Sequence, residues 1–133
     1  MDTQDLIKEI LEETKTIAVI GLSPKKHRTS HSVSEYLQGE GYRIIPVYPR
    51  EETIMGEKVY RKTSEIPEDI DTVLIFRRTE ETEAAVDDAL LKKPSYIWMQ
   101  KGIKNENAAA KAEKQGVKVI MDRCMYVEHK RLK

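Results

Sequence analysis

Residues 16–31 constrain the fold more than any other stretch of the chain. They begin with a short apolar run, 17–20, whose composition predicts a β-strand buried on both faces. Gly21 ends the run, and a polar loop leads to Ser30 and Ser32, either of which could cap a following helix; Ser32 also has a glutamate three residues later. A strand, a glycine turn and a helix start together predict a phosphate site, because the first N–H groups of a helix are unpaired and lie at its positive end.

The loop itself is basic, and it lacks the glycines of a dinucleotide fingerprint. Lys25, Lys26 and Arg28 add full positive charges beside the predicted helix start. In G-x-G-x-x-G the second glycine allows close approach of the pyrophosphate and the third allows the helix to pack on the strand. Counting from Gly21, those positions are Ser23 and Lys26. An ordinary NAD site is therefore disfavoured, whereas a phosphate site is not. The alternative is that Gly21 only forms a turn and the lysines are solvated.

The rest of the chain alternates between strand and helix patterns. Strands are predicted over residues 17–20, 43–48, 71–76, 95–99 and 117–121, with a short edge strand over 58–60. Helices are predicted over 2–14, 32–38 and 79–91, the last capped by Thr79, and from Asn105 to a stop at Gly116; residues 122–133 are predicted to be a tail. This order predicts an α/β fold with a mostly parallel sheet of about five strands.

Composition limits the classes of function. With 133 residues we expect one domain, in which a helix over 1–15 precedes the body over 16–133. The 23 basic residues equal the 23 acidic ones, so no overall field favours nucleic acid. No apolar run approaches the roughly 20 residues of a membrane span, and we expect a cytoplasmic protein. A single cysteine excludes an internal disulfide and a cysteine zinc cage, and the three histidines have no metal-site spacing.

Ligands of parallel α/β sheets lie beyond the carboxyl ends of the strands, at the topological switch point. The segments that follow the predicted strands carry Lys25, Lys26, Arg28, Arg50, Arg77, Arg78, Lys101 and Arg123. This bias predicts an anionic ligand at one rim of a neutral protein, with scattered surface charges as the alternative.

The end of the second strand distinguishes between nucleotide ligands. An NAD site needs an acid there to accept hydrogen bonds from the ribose, but the strand leads into Arg50, which cannot accept one. A cation at this position would instead pair with a phosphate on the ribose, which CoA carries at the 3′ position and NADP at the 2′ position. Glu51 and Glu52 follow directly, so a shift of one residue would restore an acid.

Four segments resemble a known family in the family's own order: GLSP at 21–24, GYRIIPVYP at 41–49, WMQKGIKNENAA at 98–109, and MDRC with EHKRL within 121–132. They resemble the small stand-alone CoA-binding proteins, which are similar to the CoA-binding N-terminal domain of the succinyl-CoA synthetase alpha subunit. The resemblance spans residues 16–132. It implies a Rossmann-like three-layer domain over 16–133 that holds coenzyme A across the carboxyl ends of the strands.

The resemblance also implies which residues contact the ligand, segment by segment. They are Gly21 and Ser23 in the phosphate loop, Arg28 and Ser30 at the helix start, Pro46, Pro49 and Arg50 around the adenosine, Phe76 and Arg77 in the next crevice, Gln100 and Gly102 in the turn after the fourth core strand, and Cys124 after the last strand.

Three functions are compatible with these residues. The first is a non-catalytic module that binds CoA or an acyl-CoA, expected because the synthetase's phosphohistidine and ATP-grasp parts do not follow; a protein partner or a homo-oligomer stays open. The second is a small NADP-dependent or acyl-transfer enzyme using the same crevice, in which Cys124 could serve as nucleophile instead of merely packing. The third, a nucleotide-responsive interaction protein similar to redox-sensing repressors, is weakened because no helix-turn-helix is visible.

Overall fold

A central sheet of five parallel strands organises the protein, as seen in a computed structural model that describes residues 2–133. Its strands are β1 (Thr16–Ile20), β2 (Arg43–Val47), β5 (Thr72–Ile75), β6 (Tyr96–Met99) and β7 (Lys118–Ile120), and β3 (Thr53–Ile54) pairs with β4 (Glu57–Lys58) in a separate antiparallel hairpin. The spatial order in the sheet is β2-β1-β5-β6-β7. The predicted α/β class and the parallel sheet of about five strands are confirmed.

Five helices cover the two faces of the sheet: α1 (Thr3–Glu13), α2 (Thr29–Gly39), α3 (Thr79–Leu90), α4 (Glu106–Lys114) and α5 (Met125–Leu132). Side chains of α1, α2 and α5 pack against alternate strand residues on one face, and those of α3 and α4 pack against the other set. Strands covered on both faces are expected to be apolar, as these are apart from the residues at which they begin. The arrangement is the Rossmann-like three-layer domain. Within residues 2–133, no helix has the length and apolar character needed to cross a membrane.

Trp98 links the core to the segment beyond the last strand. Its side chain is fully buried in β6, and its indole N–H donates a hydrogen bond of 2.8 Å to the carbonyl of Arg123. A buried indole N–H needs such a partner. The tryptophan therefore fixes the path of the chain between β7 and α5 as well as filling the core.

The predicted helix caps are wrong. Helix α2 begins at Thr29 with Arg28 in the cap position, instead of starting after Ser30 or Ser32. The Ser30 hydroxyl is already used as an acceptor for the Ser23 N–H, and the Ser32 hydroxyl donates to the carbonyl of Thr29. Thr79 likewise is not a cap but the first helical residue of α3.

The predicted tail is also wrong, since most of it forms α5. The side-chain oxygen of Gln100 accepts a hydrogen bond of 3.3 Å from the Met125 N–H at the helix start. Met125 is fully buried, and Tyr126 packs edge-on against Tyr36 of α2. These partners are distant in sequence, so the local pattern of residues 122–133 does not reveal the helix.

The expected edge strand over 58–60 is divided between two partners. Lys58 belongs to β4, whereas Tyr60 forms a single parallel bridge to Val47 at the outer edge of β2. Pro46 lies within β2, which is tolerated because β2 is the edge strand of the sheet.

Replacing Trp98 with phenylalanine should lower the free energy of unfolding by about 1–3 kcal/mol, because the change removes a buried hydrogen bond and leaves a void. Urea denaturation followed by circular dichroism measures the loss. The matched control is Leu91→Ala at a side chain that is 72% exposed, for which we expect a change within about 0.5 kcal/mol. Equal losses in the two variants would contradict the anchoring role of Trp98.

Candidate functional site

The topological switch point lies between β1 and β5. The chain runs from β1 to β2 on one side and then crosses to β5 on the other side, which in this strand order opens a crevice between the two. Gly21 occupies this point with φ +88°, and its N–H donates to the carbonyl of Val47 over 2.8 Å. A Cβ on Gly21 would lie 2.9 Å from the carbonyl oxygen of Phe76. Glycine is therefore required here both by its backbone conformation and by the close approach of the next segment.

Hydrogen bonds fasten the loop after Gly21 to the start of α2. The Ser23 N–H donates to the Ser30 hydroxyl over 3.0 Å, and the Ser23 hydroxyl accepts from the Lys25 N–H over 3.1 Å. The Nδ1 atom of His31, whose ring is buried, lies 2.8 Å from the carbonyl oxygen of Ser23. A carbonyl oxygen can only accept, so Nδ1 carries the proton in this contact. Ser23 and Ser30 are thus brought together as predicted contacts, and they shape the loop through each other.

The N-terminus of α2 faces this loop without an acidic group. The backbone N–H groups of Thr29 and Ser30 have no hydrogen-bond partner among residues 2–133. Lys25, Lys26 and Arg28 are exposed, and within the same described residues their side chains form no ion pair. The site therefore combines unpaired donors, the positive end of a helix and three cationic side chains, an arrangement suited to a phosphate.

The other helix starts are filled by side chains. Asp2 and Asn105 cap α1 and α4 with hydrogen bonds, Glu80 and Glu81 lie in the first turn of α3, and α5 has Glu128 in its first turn. Among the helices of the described chain, α2 is the one that has neither a side-chain cap nor an acid in its first turn. The switch point and the electropositive helix start thus coincide.

A cleft of about 770 Å³ opens beside the switch point, between the ends of β1 and β2 and helix α3. We call it the strand-end cleft; its lining includes Pro49, Arg77 and the consecutive residues Arg61, Lys62 and Thr63. The hydroxyl of Thr63 is buried without a hydrogen-bond partner among residues 2–133. Two predicted contact residues, Pro49 and Arg77, meet in this cleft.

Part of the predicted basic rim is neutralised by nearby acids. The Nε atom of Arg78 donates to Glu81 over 3.1 Å, and this contact raises the pKa of the Arg78 guanidinium above its usual value. Arg123 lies 3.6 Å from the buried carboxylate of Glu128. The rim is therefore less positive than the sequence pattern predicts. Six of its eight cations have no ion pair within residues 2–133, namely Lys25, Lys26, Arg28, Arg50, Arg77 and Lys101.

The turn after β6 is joined to the turn after β7. The N–H of Gly102 donates to the carboxylate of Asp122 over 2.7 Å, and Asp122 adopts φ +58° in doing so. Gln100 is buried, with its side-chain oxygen bonded to Met125, while its Nε2 forms no hydrogen bond within residues 2–133. An amide donor at the carboxyl end of β6 is consequently free to meet a ligand.

Cys124 lies at the far end of the same sheet edge. It is partly exposed in a second groove of about 770 Å³, which is also lined by Lys101, Arg123 and Arg131. Its thiol is therefore at the rim and not deep in the core. No group of three or more His, Cys, Asp or Glu in the described part of the chain is arranged to hold a metal ion.

The predicted contact residues do not form one compact pocket. Pro46 is buried inside β2, and its carbonyl accepts from the Tyr60 N–H, so it belongs to the packed layer. Arg50 is exposed beyond β2, whereas Cys124 follows β7 at the opposite side of the sheet. Four strand spacings separate β2 from β7, or roughly 19 Å. The predicted set as a whole suits an elongated ligand.

Sequence reasoning missed His31, Arg61 and Thr63. The position of His31 in the first turn after the loop is a local signal that could have identified it. Arg61 and Thr63 follow β4 and reach the cleft through the bridge between Tyr60 and Val47, a pairing that no short-range pattern predicts.

Comparison with known proteins agrees with this geometry. The model of the CoA binding domain family matches residues 15–130. The chain belongs to that family. The resemblance inferred from the four segments is thereby confirmed.

Individual relatives of this CoA binding domain support the assignment. An uncharacterised protein of Bacillus subtilis (strain 168), YneT, is 42% identical over 123 residues, which cover 92% of this chain and 91% of that one. A hypothetical protein from Pyrococcus horikoshii OT3 superposes with a TM-score of 0.94 at 37% identity, covering 98% of this chain and 92% of that one. The dinucleotide forming acetyl-coenzyme A synthetase 1 of Ca. Korarchaeum cryptofilum has a TM-score of 0.74 at 21% identity, over 84% of this chain and 26% of that one, and shares the fold.

Gly21→Ala in this CoA binding domain should lower the free energy of unfolding by more than strain alone explains, because the new Cβ meets the Phe76 carbonyl. The matched control is Gly116→Ala, since Gly116 has a similar φ of +82° but open space around it. We expect a loss of about 1 kcal/mol in the control from the left-handed backbone and a clearly larger loss at Gly21. Thermal and urea unfolding measure both; equal losses would show that the contact with Phe76 imposes no constraint.

Proposed function

We propose that the protein binds coenzyme A, or an acyl-CoA, across the carboxyl ends of its strands, with the pyrophosphate at the Gly21 loop. The observation that carries this proposal is the N-terminus of α2, which has unpaired N–H groups, no acid in its first turn and three unpaired cations beside it. A pyrophosphate satisfies these donors and charges together. Membership of the family supports CoA as its source.

The strand-end cleft accommodates the adenosine in this proposal. Its apolar floor includes Ile20, Val47 and Pro49, which suit the face of a base. The unpartnered hydroxyl of Thr63 supports a polar ligand there, because a buried hydroxyl without a partner costs free energy. Arg50 follows β2 at the mouth of this region and pairs with the 3′-phosphate of the ribose.

The pantetheine arm extends from the switch point towards β6 and β7. The free Nε2 of Gln100 donates to one of its carbonyl groups, and Gly102 keeps the neighbouring turn open. The arm ends near the groove that contains Cys124. Phe76 and Arg77 line the path of the pantetheine arm beside Gly21. The proposed role is binding without catalysis, so the ligand leaves chemically unchanged.

Isothermal titration calorimetry with CoA, NAD and NADP tests the proposal. We expect CoA to bind most tightly, because the loop lacks the second and third glycines of the dinucleotide fingerprint and Arg50 offers no acceptor to an unphosphorylated ribose. Lys25→Met combined with Lys26→Met should weaken CoA, since it removes charge at the pyrophosphate. Tighter binding of NAD or NADP would contradict the proposal, and tighter binding of NADP would favour the NADP-dependent enzyme.

Replacement of Arg50 with methionine should weaken CoA by about 1.5–3 kcal/mol while changing dephospho-CoA little, because the charge-assisted contact is made to the 3′-phosphate alone. Titration of both ligands measures the difference. Lys8→Met removes an exposed cation of α1 and should leave both affinities unchanged. Equal losses for CoA and dephospho-CoA in the Arg50 variant would remove Arg50 from this role.

A further inference from the structure

Arg61 makes an unusual set of contacts beside the strand-end cleft. The two N–H groups of its Nη1 atom are shared among three backbone carbonyls, those of Tyr48 at 3.1 Å, Arg50 at 2.9 Å and Glu51 at 2.9 Å, so at least one N–H is bifurcated. All three belong to the turn that follows β2. One guanidinium nitrogen thus contacts the carbonyl oxygens of three of the four residues 48–51.

We call this set of contacts the Arg61 clamp. Backbone hydrogen bonds hold Tyr60, the residue that precedes Arg61. Tyr60 donates from its N–H to the carbonyl of Pro46 and accepts from the N–H of Tyr48, both over 3.0 Å. These bonds place residue 61 directly beside the end of β2. The side chain of Arg61 then needs only to reach across the turn, and it is 44% exposed while doing so.

Between its ends the turn has no other hydrogen bond: within residues 2–133, residues 49–51 are bonded to Arg61 alone, while the Tyr48 N–H bonds to Tyr60 and the Glu52 carbonyl accepts from the Val59 N–H. Glu51 adopts φ +71°, a conformation unfavourable for a residue with a side chain. Pro49, Arg50 and Glu51 are all exposed. The Arg50 side chain itself makes no hydrogen bond or ion pair within residues 2–133, so the backbone of the turn sets only the point from which it starts.

We infer that Arg61 is a positioning residue that gives the protein its preference for a 3′-phosphorylated ribose. By holding the Tyr48–Glu51 turn in its strained form, Arg61 fixes the point from which Arg50 reaches the phosphate. This inference rests on the proposed function, in which Arg50 pairs with that phosphate. Arg61 acts through Arg50 and needs no contact of its own with the phosphate.

The competing explanation is that Arg61 binds the phosphate directly, because it also lines the strand-end cleft. The two roles differ in a double-mutant cycle. If Arg61 acts through Arg50, the Arg61 substitution has no further effect on the 3′-phosphate preference once Arg50 is gone. If Arg61 binds the phosphate itself, the two losses add.

The test combines hydrogen–deuterium exchange of the free protein with titration of CoA and dephospho-CoA. In Arg61→Met we expect faster exchange of the backbone amides in residues 49–52, and a CoA-over-dephospho-CoA preference reduced about tenfold. Arg61→Lys retains N–H donors and should keep most of the protection and the preference. Lys8→Met removes an exposed cation of α1 and should alter neither. The double variant Arg50→Met/Arg61→Met should match Arg50→Met alone.

Each result has a definite meaning. Unchanged amide exchange of residues 49–52 in Arg61→Met would show that Arg61 does not hold the turn. This measurement needs no ligand. Faster exchange with an unchanged preference, or additive losses in the double variant, overturns the link to Arg50. A wild-type protein that binds neither CoA nor dephospho-CoA contradicts the proposed function, while the exchange result still decides whether Arg61 holds the turn.

Discussion

The close approach of Gly21 to the Phe76 carbonyl is the constraint on which the site depends. The Gly21 N–H donates a hydrogen bond to the Val47 carbonyl, and the Phe76 N–H donates one to the Ile20 carbonyl. The ends of β1, β2 and β5 therefore meet at this point. A side chain at Gly21 would clash with the Phe76 carbonyl, so the backbone that follows β1 or β5 would have to shift. The loop after Gly21, the start of α2 and the strand-end cleft all adjoin this junction. The same backbone geometry therefore serves packing and ligand binding.

The site combines two unpaired backbone N–H groups, those of Thr29 and Ser30, with loops that side chains hold in place. Ser23, Ser30 and His31 satisfy one another and hold the loop open, and Arg61 does the same for the turn after β2. Acids that neutralise the other helix starts are absent from the first turn of α2. A long anionic ligand can thus be held at several points along the sheet edge, which suits binding more directly than it suits a catalytic centre.

Much of the fold follows from local sequence patterns, but the site only partly does. The apolar runs of β1, β5 and β6 are continuous because both faces of these strands are covered, and this made the sheet predictable. The start of α4 at Asn105 was correctly predicted, and the amide oxygen of Asn105 caps the helix by accepting from the Ala108 N–H three residues later. Helix α5 was missed because its start depends on Gln100 and its packing on Tyr36, which are far away in sequence. Arg61 was missed for the same reason. The predicted contacts of the twelve site residues with CoA remain predictions.

The most direct test of the central claim is a map of backbone amide chemical shifts in the ¹⁵N-labelled protein during titration with CoA. The account predicts that the largest changes occur in residues 21–31, in the turn after β2, and at Gln100 to Gly102, all at the carboxyl edge of the sheet. Residues at the amino edge, such as Thr16, Asp71 and Ser95, should change little. Changes centred on the amino edge, or no changes at saturating CoA, would contradict the account.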